Sequence, residues 1–229
     1  MNGFQDFLAV FAERGPGWLA QMAAALGVTL QITALAFLLA LAIGLVVAIG
    51  RLSRSRIARG LAIGYVEVTR GVPALVILFL LYYGIVPLGI VLDAVPAAVL
   101  GLGMSAGGYV AEIFRAGIEA THRGQREAGL AVGMTPWKIY RFILIPQATR
   151  IALPPLVNTL ITVLKDSSLA SLITAPEIML RAKDIASSEF LPLHIFVFAG
   201  AIYFLLALPL SWAAARLEAR MSRRLGARL

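Results

Sequence analysis

Residues 125–146 read QREAGLAVGMTPWKIYRFILIP, a polar and partly basic stretch in the middle of a mostly apolar chain. Its first part, 127–134, is a helical run in which Ala128, Gly129, Ala131 and Gly133 keep one surface low. Thr135 followed by Pro136 is a helix start: the threonine caps free backbone N–H groups, and proline fits the first helical position, where no N–H is needed. Trp137, Tyr140, Ile143 and Leu144 recur behind it at helical spacing, and Pro146 is expected to stop the run. The stretch is a short helix–turn–helix knob. Its small-residue surface suits docking into a groove of another protein, because small side chains let backbones approach closely. The competing reading is an amphipathic hairpin lying on a membrane surface.

The chain around the knob belongs in a bilayer. Of 229 residues, 60% are hydrophobic and 14% charged, against about 45–50% and about 25% in a soluble domain. Mean hydropathy is +0.87. At roughly 20 residues per helix the apolar blocks allow about five spans. The reading is an all-α integral membrane protein, a single transmembrane domain over 1–229, with no room for a separate soluble domain. No G-x4-GK[ST] phosphate loop occurs, so the chain has no nucleotide-binding domain of its own.

The formal charge of +8 would suit nucleic acid, but its placement argues otherwise. Arg51, Arg54, Arg56 and Arg59 share one short loop; Arg123, Arg126, Lys138, Arg141 and Arg150 lie in or beside the knob; Arg216, Arg220, Arg223, Arg224 and Arg228 fill the C-terminal tail. The alternate connections hold only Arg14, and Arg181 with Lys183. That alternation is the positive-inside bias, and it predicts the N-terminus outside with the knob and C-terminus cytoplasmic. With no cysteine, disulfides and thiolate chemistry are excluded. His122 and His194 are isolated, fit no metal spacing and read as ordinary polar residues. No removable signal peptide is expected.

In order, 1–20 reads as an outer amphipathic segment with Phe4, Phe7, Leu8 and Phe11 near helical spacing, beside Asp6, Glu13 and Arg14. The first span is about 25–49. The second, about 61–86, is interrupted by EVTRGVP, because Pro73 removes a backbone hydrogen bond and Glu67 and Arg70 place charges at membrane depth. Residues 86–93 form a short outer loop. The third span, about 96–116, contains GLGMSAGG, whose small residues permit close helix packing. The knob and its flanks cover 119–150, the fourth span about 151–173, and an outer loop of mixed charge 174–192. A fifth span, about 193–215, leads to a basic tail over 216–229.

The knob resembles the cytoplasmic coupling loop of bacterial ABC importer permeases, whose pattern is Glu-Ala-Ala-x3-Gly-x9-Ile-x-Leu-Pro. Here stand Glu127-Ala128-Gly129, then Gly133, then Ile143-Leu144-Ile145-Pro146, departing at Gly129 and Ile145. Further runs resemble the polar amino acid permeases, the histidine, arginine and glutamine group: 27–33, Glu67-x-x-Arg70-Gly71-x-Pro73, Tyr82-Tyr83-Gly84, Gly108-Tyr109-x-Ala111-Glu112-Ile113-x-Arg115, 124–128 and Lys165-Asp166-Ser167-Ser168-Leu169. Together they cover roughly 25–185. Gly108 departs from the usual Ala before the Tyr.

The resemblance implies the membrane subunit of an importer in a bacterial inner membrane, moving polar amino acids by alternating access. It implies two ATP-binding subunits that use ATP and Mg, a second permease chain, an extracytoplasmic binding protein and surrounding lipid. It implies no cofactor or metal on this chain, no enzymatic step within it and no nucleic-acid partner. Coupling to the ATPase would fall to Glu127, Ala128, Gly129, Gly133, Met134, Thr135, Pro136, Trp137, Ile143 and Pro146. The substrate path would take in Asp166, Ser167, Ser168, Lys165, Asn158, Glu67, Arg70 and Tyr109.

Asp166 suits an ammonium group, since an unpaired carboxylate at that depth is costly; alternatively it pairs with Lys165 or caps the next helical segment. Glu67 and Arg70, three apart, form either an internal ion pair or part of the path. Glu112 and Arg115 lie near the inner edge, and Tyr82 and Tyr83 read as interfacial aromatic anchors. Two other functions compete: an ion-coupled secondary transporter using the intramembrane charges, and an ABC permease for an osmolyte or other small solute. A membrane enzyme is disfavoured because no nucleophile–base pair or metal cluster is present.

Overall fold

The computed structural model describes residues 3–121 and 123–226. His122 and Arg228 lie outside the described residues, as do the side chains of Phe4, Asp6, Arg123, Arg223 and Arg224. The described chain is helical throughout: α1 (Gly3–Arg51), α2 (Arg56–Gly71), α3 (Ala74–Tyr82), α4 (Ala94–Glu119), α5 (Arg123–Ala131), α6 (Pro136–Ile139), α7 (Ile145–Asp166), α8 (Ile178–Glu189) and α9 (Pro192–Gly226). A backbone inside hydrocarbon must satisfy its own hydrogen bonds, and helices do so without a partner strand.

Among the described residues, four helical stretches are long and apolar enough to cross a membrane, and a fifth is reached only by counting α2 and α3 together. These two meet at a bend of 104°. Pro73 explains the break: α2 stops at Gly71, Val72 is extended, and Pro73 stands as the N-cap of α3. The expected interruption is there, but as a corner rather than a kinked continuous span.

Helix α4 is the centre, packed by α1, α2, α3 and α7, and its glycines are where neighbours press in. A Cβ on Gly103 would lie 2.7 Å from Leu39 Cδ2, one on Gly107 2.9 Å from Ile43 Cγ2, and one on Gly101 3.1 Å from Leu78. Gly44 of α1 answers from the other side, with Val110 Cβ 2.7 Å from its missing side chain. Without a hydrophobic force between helices in lipid, such close approach is how dispersion holds a bundle together. One buried cluster joins Ile32, Ala36, Leu78, Leu102, Val110 and Val163 along this axis.

The expected boundaries change at both ends. Within the expected segment 1–20, the described residues 3–20 are not a separate surface element: α1 runs unbroken through Pro16 for 49 residues, about 73 Å at 1.5 Å per residue and far beyond a hydrocarbon core of about 30 Å. Its first half is held by α8 and α9 in a second cluster of Trp18, Met22, Ile178, Ala182, Ile185, Ile195 and Ala199. Phe7 stacks on His194 with ring centroids 4.4 Å apart, and Trp18 Nε1 donates to Glu189 at 3.0 Å. The stretch 174–192 is correspondingly not a plain loop, since α8 occupies most of it. Helix α9 runs through Pro209 and on into the basic tail as far as Gly226.

Candidate functional site

In the knob, α5 and α6 pack as a hairpin. Thr135 caps α6, its hydroxyl oxygen accepting from Lys138 N at 3.4 Å, and Pro136 opens the helix. Gly133 ends α5 with φ 78°, the left-handed conformation that glycine adopts freely. Around it Met134 N donates to Gly129 O at 3.0 Å and Gly133 N to Leu130 O at 3.0 Å, tying off the helix end. Gly129 is buried against Ile139, whose Cγ1 would lie 2.8 Å from a Cβ there. Its departure from alanine is thus matched by a close helix contact.

Of the large apolar side chains of the knob, Ile139 and Leu144 are buried, whereas Trp137 and Tyr140 are exposed. Val132, Trp137 and Phe142 are 76%, 71% and 66% exposed, apolar side chains left open by the described residues. Rows of exposed apolar side chains mark contact surfaces. Neither Val132 nor Phe142 stands out along the sequence on a helical period of 3.6. The structure departs from that period at Tyr140–Leu144, a π turn in which Ile145 N donates to Tyr140 O.

That turn corrects the role of Pro146. It does not stop the helix; it sits in the first turn of α7, where its missing N–H breaks no bond. Widening the preceding turn by one residue is what allows this. Helix α7 then continues through Pro154 and Pro155 for 22 residues to Asp166.

Along α7 the polar residues Asn158, Thr159, Thr162 and Asp166 face α4, and with Leu102, Ser105, Ala106, Tyr109 and Val163 they line a cavity of about 290 Å³. Asn158, Thr162 and Asp166 are spaced i, i+4, i+8, one stripe on one helix face. That stripe is the sequence signal that would have found Thr162. Asp166 is half-buried; no ion pair joins it to Lys165 among the described residues, and its side chain caps no helix. It lines the cavity, within reach of the Lys165 charge.

Other expected path residues stand apart from the cavity lining. Ser167 Oγ donates to Leu164 O and Ser168 Oγ to Lys165 O, both at 2.7 Å. Lys165 is exposed. No ion pair joins Glu67 to Arg70 among the described residues; the Arg70 guanidinium lies 5.6 Å from the centroid of the Tyr109 ring instead. Tyr82 and Tyr83 stack edge-on at 4.8 Å at the end of α3.

At the knob end, Glu112 forms ion pairs with Arg51 at 2.6 Å and Arg115 at 2.8 Å, and Arg115 also pairs with Glu119. Arg51, which reads from sequence as one of a basic cluster, is thus tied to α4. Away from the spans, burial pushes the Glu177 carboxyl above its ordinary value, with the N–H groups of Met179 and Leu180 and the Tyr203 hydroxyl working against it.

Comparison with known proteins agrees with this architecture. Residues 40–223 match the family described as "Binding-protein-dependent transport system inner membrane component". The L-cystine transport system permease protein TcyB of Bacillus subtilis (strain 168) is 36% identical over 196 residues, covering 85% of this chain and 84% of the relative. The glutamine transport system permease protein GlnP of Escherichia coli (strain K12) is 35% identical over 196 residues, covering 84% and 89%. A solved structure titled "Crystal structure of an amino acid ABC transporter with histidines" superposes with a TM-score of 0.84 at 34% identity, covering 93% of this chain and 98% of that one. The knob, the helical bundle and these matches together identify the chain as a member of the binding-protein-dependent transport inner membrane component family, an ABC transporter permease of the inner membrane.

Proposed function

We propose that this chain carries polar amino acids across the inner membrane as the permease of an ATP-driven importer. The observation that carries the reading is α7, one helix that begins beside the knob and ends at Asp166 on the cavity. Two ATP-binding subunits using ATP and Mg grip the knobs of this chain and of a second permease chain, a copy or a relative. The exposed Trp137, Val132 and Phe142 form the apolar part of each grip, with Glu127, Ala128, Gly129, Gly133, Met134, Thr135, Pro136, Ile143 and Pro146 shaping it. Knob displacement tilts α7 and exchanges access between the two membrane faces. An extracytoplasmic binding protein delivers the amino acid.

In the cavity Asp166 takes the ammonium, Asn158 and Thr162 offer hydrogen bonds, and Tyr109 closes one wall. Lys165, Ser167 and Ser168 flank this point; Arg70, held over Tyr109, and Glu67 lie on the approach from α2. The transported class rests on the relatives, whose names cite cystine and glutamine. The knob and C-terminus face the cytoplasm, in keeping with the basic clusters.

Uptake of a panel of radiolabelled amino acids into vesicles holding the full complex tests the proposal. ATP depletion with the ion gradient preserved should abolish uptake; continued uptake would favour the ion-coupled reading. Uptake confined to an osmolyte would overturn the substrate class.

A further inference from the structure

Glu177 is the only fully buried charged side chain among the described residues, at 0% exposure. It does not line the cavity between α4 and α7. It caps α8, accepting from Leu180 N at 2.8 Å through Oε1, and accepts the hydroxyl of Tyr203 on α9 through Oε2. One residue on, Ile178 N donates to Thr29 Oγ1 of α1 at 3.2 Å, while that hydroxyl donates to Ala25 O at 3.1 Å. Two consecutive residues thus clasp three helices. Such a cluster is stable only while every member is satisfied, so losing one partner is felt by the others.

On its other side the clasp governs how the chain leaves α7. After Asp166 come the 3-10 run Ser167–Ile173 and Thr174, held left-handed at φ 63°. Ala175 N donates to Ala170 O at 3.1 Å and Glu177 N to Ala175 O at 2.8 Å. Lys183 Nζ of α8 donates to Ser171 Oγ at 3.0 Å, closing the loop back on itself. Residues 167–189 are therefore hydrogen-bonded as one body to α1 and α9, while Ala170 and Ile173 also pack with Val163 of α7 and Leu102 of α4, and Asp166 stands at the border with α7.

We infer that Glu177 is a positioning residue: it keeps residues 167–189 with α1 and α9 while α7 moves, so that motion along α7 becomes a change of surroundings at Asp166. A body that travelled with α7 would carry those surroundings along and leave the cavity unaltered. The inference rests on the proposed role of α7 in transmitting knob displacement.

The test uses the full complex, with its ATPase and binding protein, in lipid vesicles and nanodiscs. The variants are Tyr203→Phe, which removes one hydroxyl, Glu177→Ala, and Glu177→Gln, which keeps the acceptor for Leu180 N and presents an N–H to the Tyr203 oxygen. Amide exchange over 167–178 should rise about tenfold in Tyr203→Phe and Glu177→Ala, with exchange in α4 and α7 unchanged. ATP hydrolysed per amino acid imported should rise about threefold or more, and Glu177→Gln should restore both. Wild-type values for Tyr203→Phe in both measurements would overturn the inference, and so would a bundle-wide rise in exchange at a constant ATP ratio, since that is general stability. If the wild-type complex imports nothing on ATP, the transport proposal fails; the exchange measurement still decides whether Glu177 holds this body in place.

Discussion

At Gly133 two demands meet on one residue. Its φ of 78° favours glycine, and its open surroundings leave room for a side chain that would project from the knob. A non-glycine residue there is strained by about 1–2 kcal/mol, though asparagine tolerates the left-handed region better than most. Gly133→Arg should abolish ATP-dependent uptake while leaving the membrane bundle folded. Gly133→Asn separates the two demands: uptake near wild type would mean that backbone conformation dominates, and loss like that of arginine would mean that the docking surface does. Glu177 allows a pH prediction at the same scale. Burial favours its protonated form, so the stabilisation is complete below the ordinary value of 4.5 and is lost as pH rises through the raised folded value. Of the charged groups around it, Lys183 opposes this shift. Wild type should therefore lose thermal stability relative to Glu177→Gln as pH increases, measured by melting temperature across a pH series. A difference that stays constant with pH would contradict the assignment.

At the scale of elements, the contact of α2 with α4 depends on Gly108. A Cβ there would collide with Thr69 Oγ1, and Thr69 cannot easily turn aside because its hydroxyl is bonded to Tyr65 O at 2.9 Å. Tyr65 in turn donates to Met104 O at 2.6 Å. Gly108→Ala should push α2 from α4 and lower stability by about 1–3 kcal/mol, the usual range for overpacking; Gly108→Ala with Thr69→Ala should regain part of it, since alanine lacks the colliding hydroxyl. Thermal unfolding of the purified complex checks both. The glycines of α4 were legible in the sequence as small residues, yet which of them meets which neighbour was not. The π turn was invisible for a different reason. Tyr140 to Leu144 suit an ordinary helix, and only the need to place Pro146 in the first turn of α7 widens the turn before it.

For the whole molecule, the absence of cysteine makes orientation directly measurable. A single cysteine at Thr135 should react with an impermeant maleimide only from the cytoplasmic side, and one at Ser187 only from the opposite side; reversed labelling would overturn the proposed transport direction. Asp166→Asn should reduce uptake at least about tenfold, a loss of about 1.4 kcal/mol, while the complex still assembles; unchanged uptake would remove Asp166 from the path. The amino-acid order by itself determined that the chain spans a membrane, where its charges cluster, that Pro73 interrupts a span, and that 125–146 forms a helix–turn–helix knob. These are local or compositional properties, settled by hydropathy, missing N–H groups and capping residues close in the chain. Only the tertiary structure decided that Arg51 pairs with Glu112, that Arg70 lies over Tyr109 rather than with Glu67, and that Glu177 clasps Tyr203. Those partners lie 61, 39 and 26 residues apart by their numbers, and a charged or polar group is committed to whichever partner packing brings near it, which spacing along the chain does not encode.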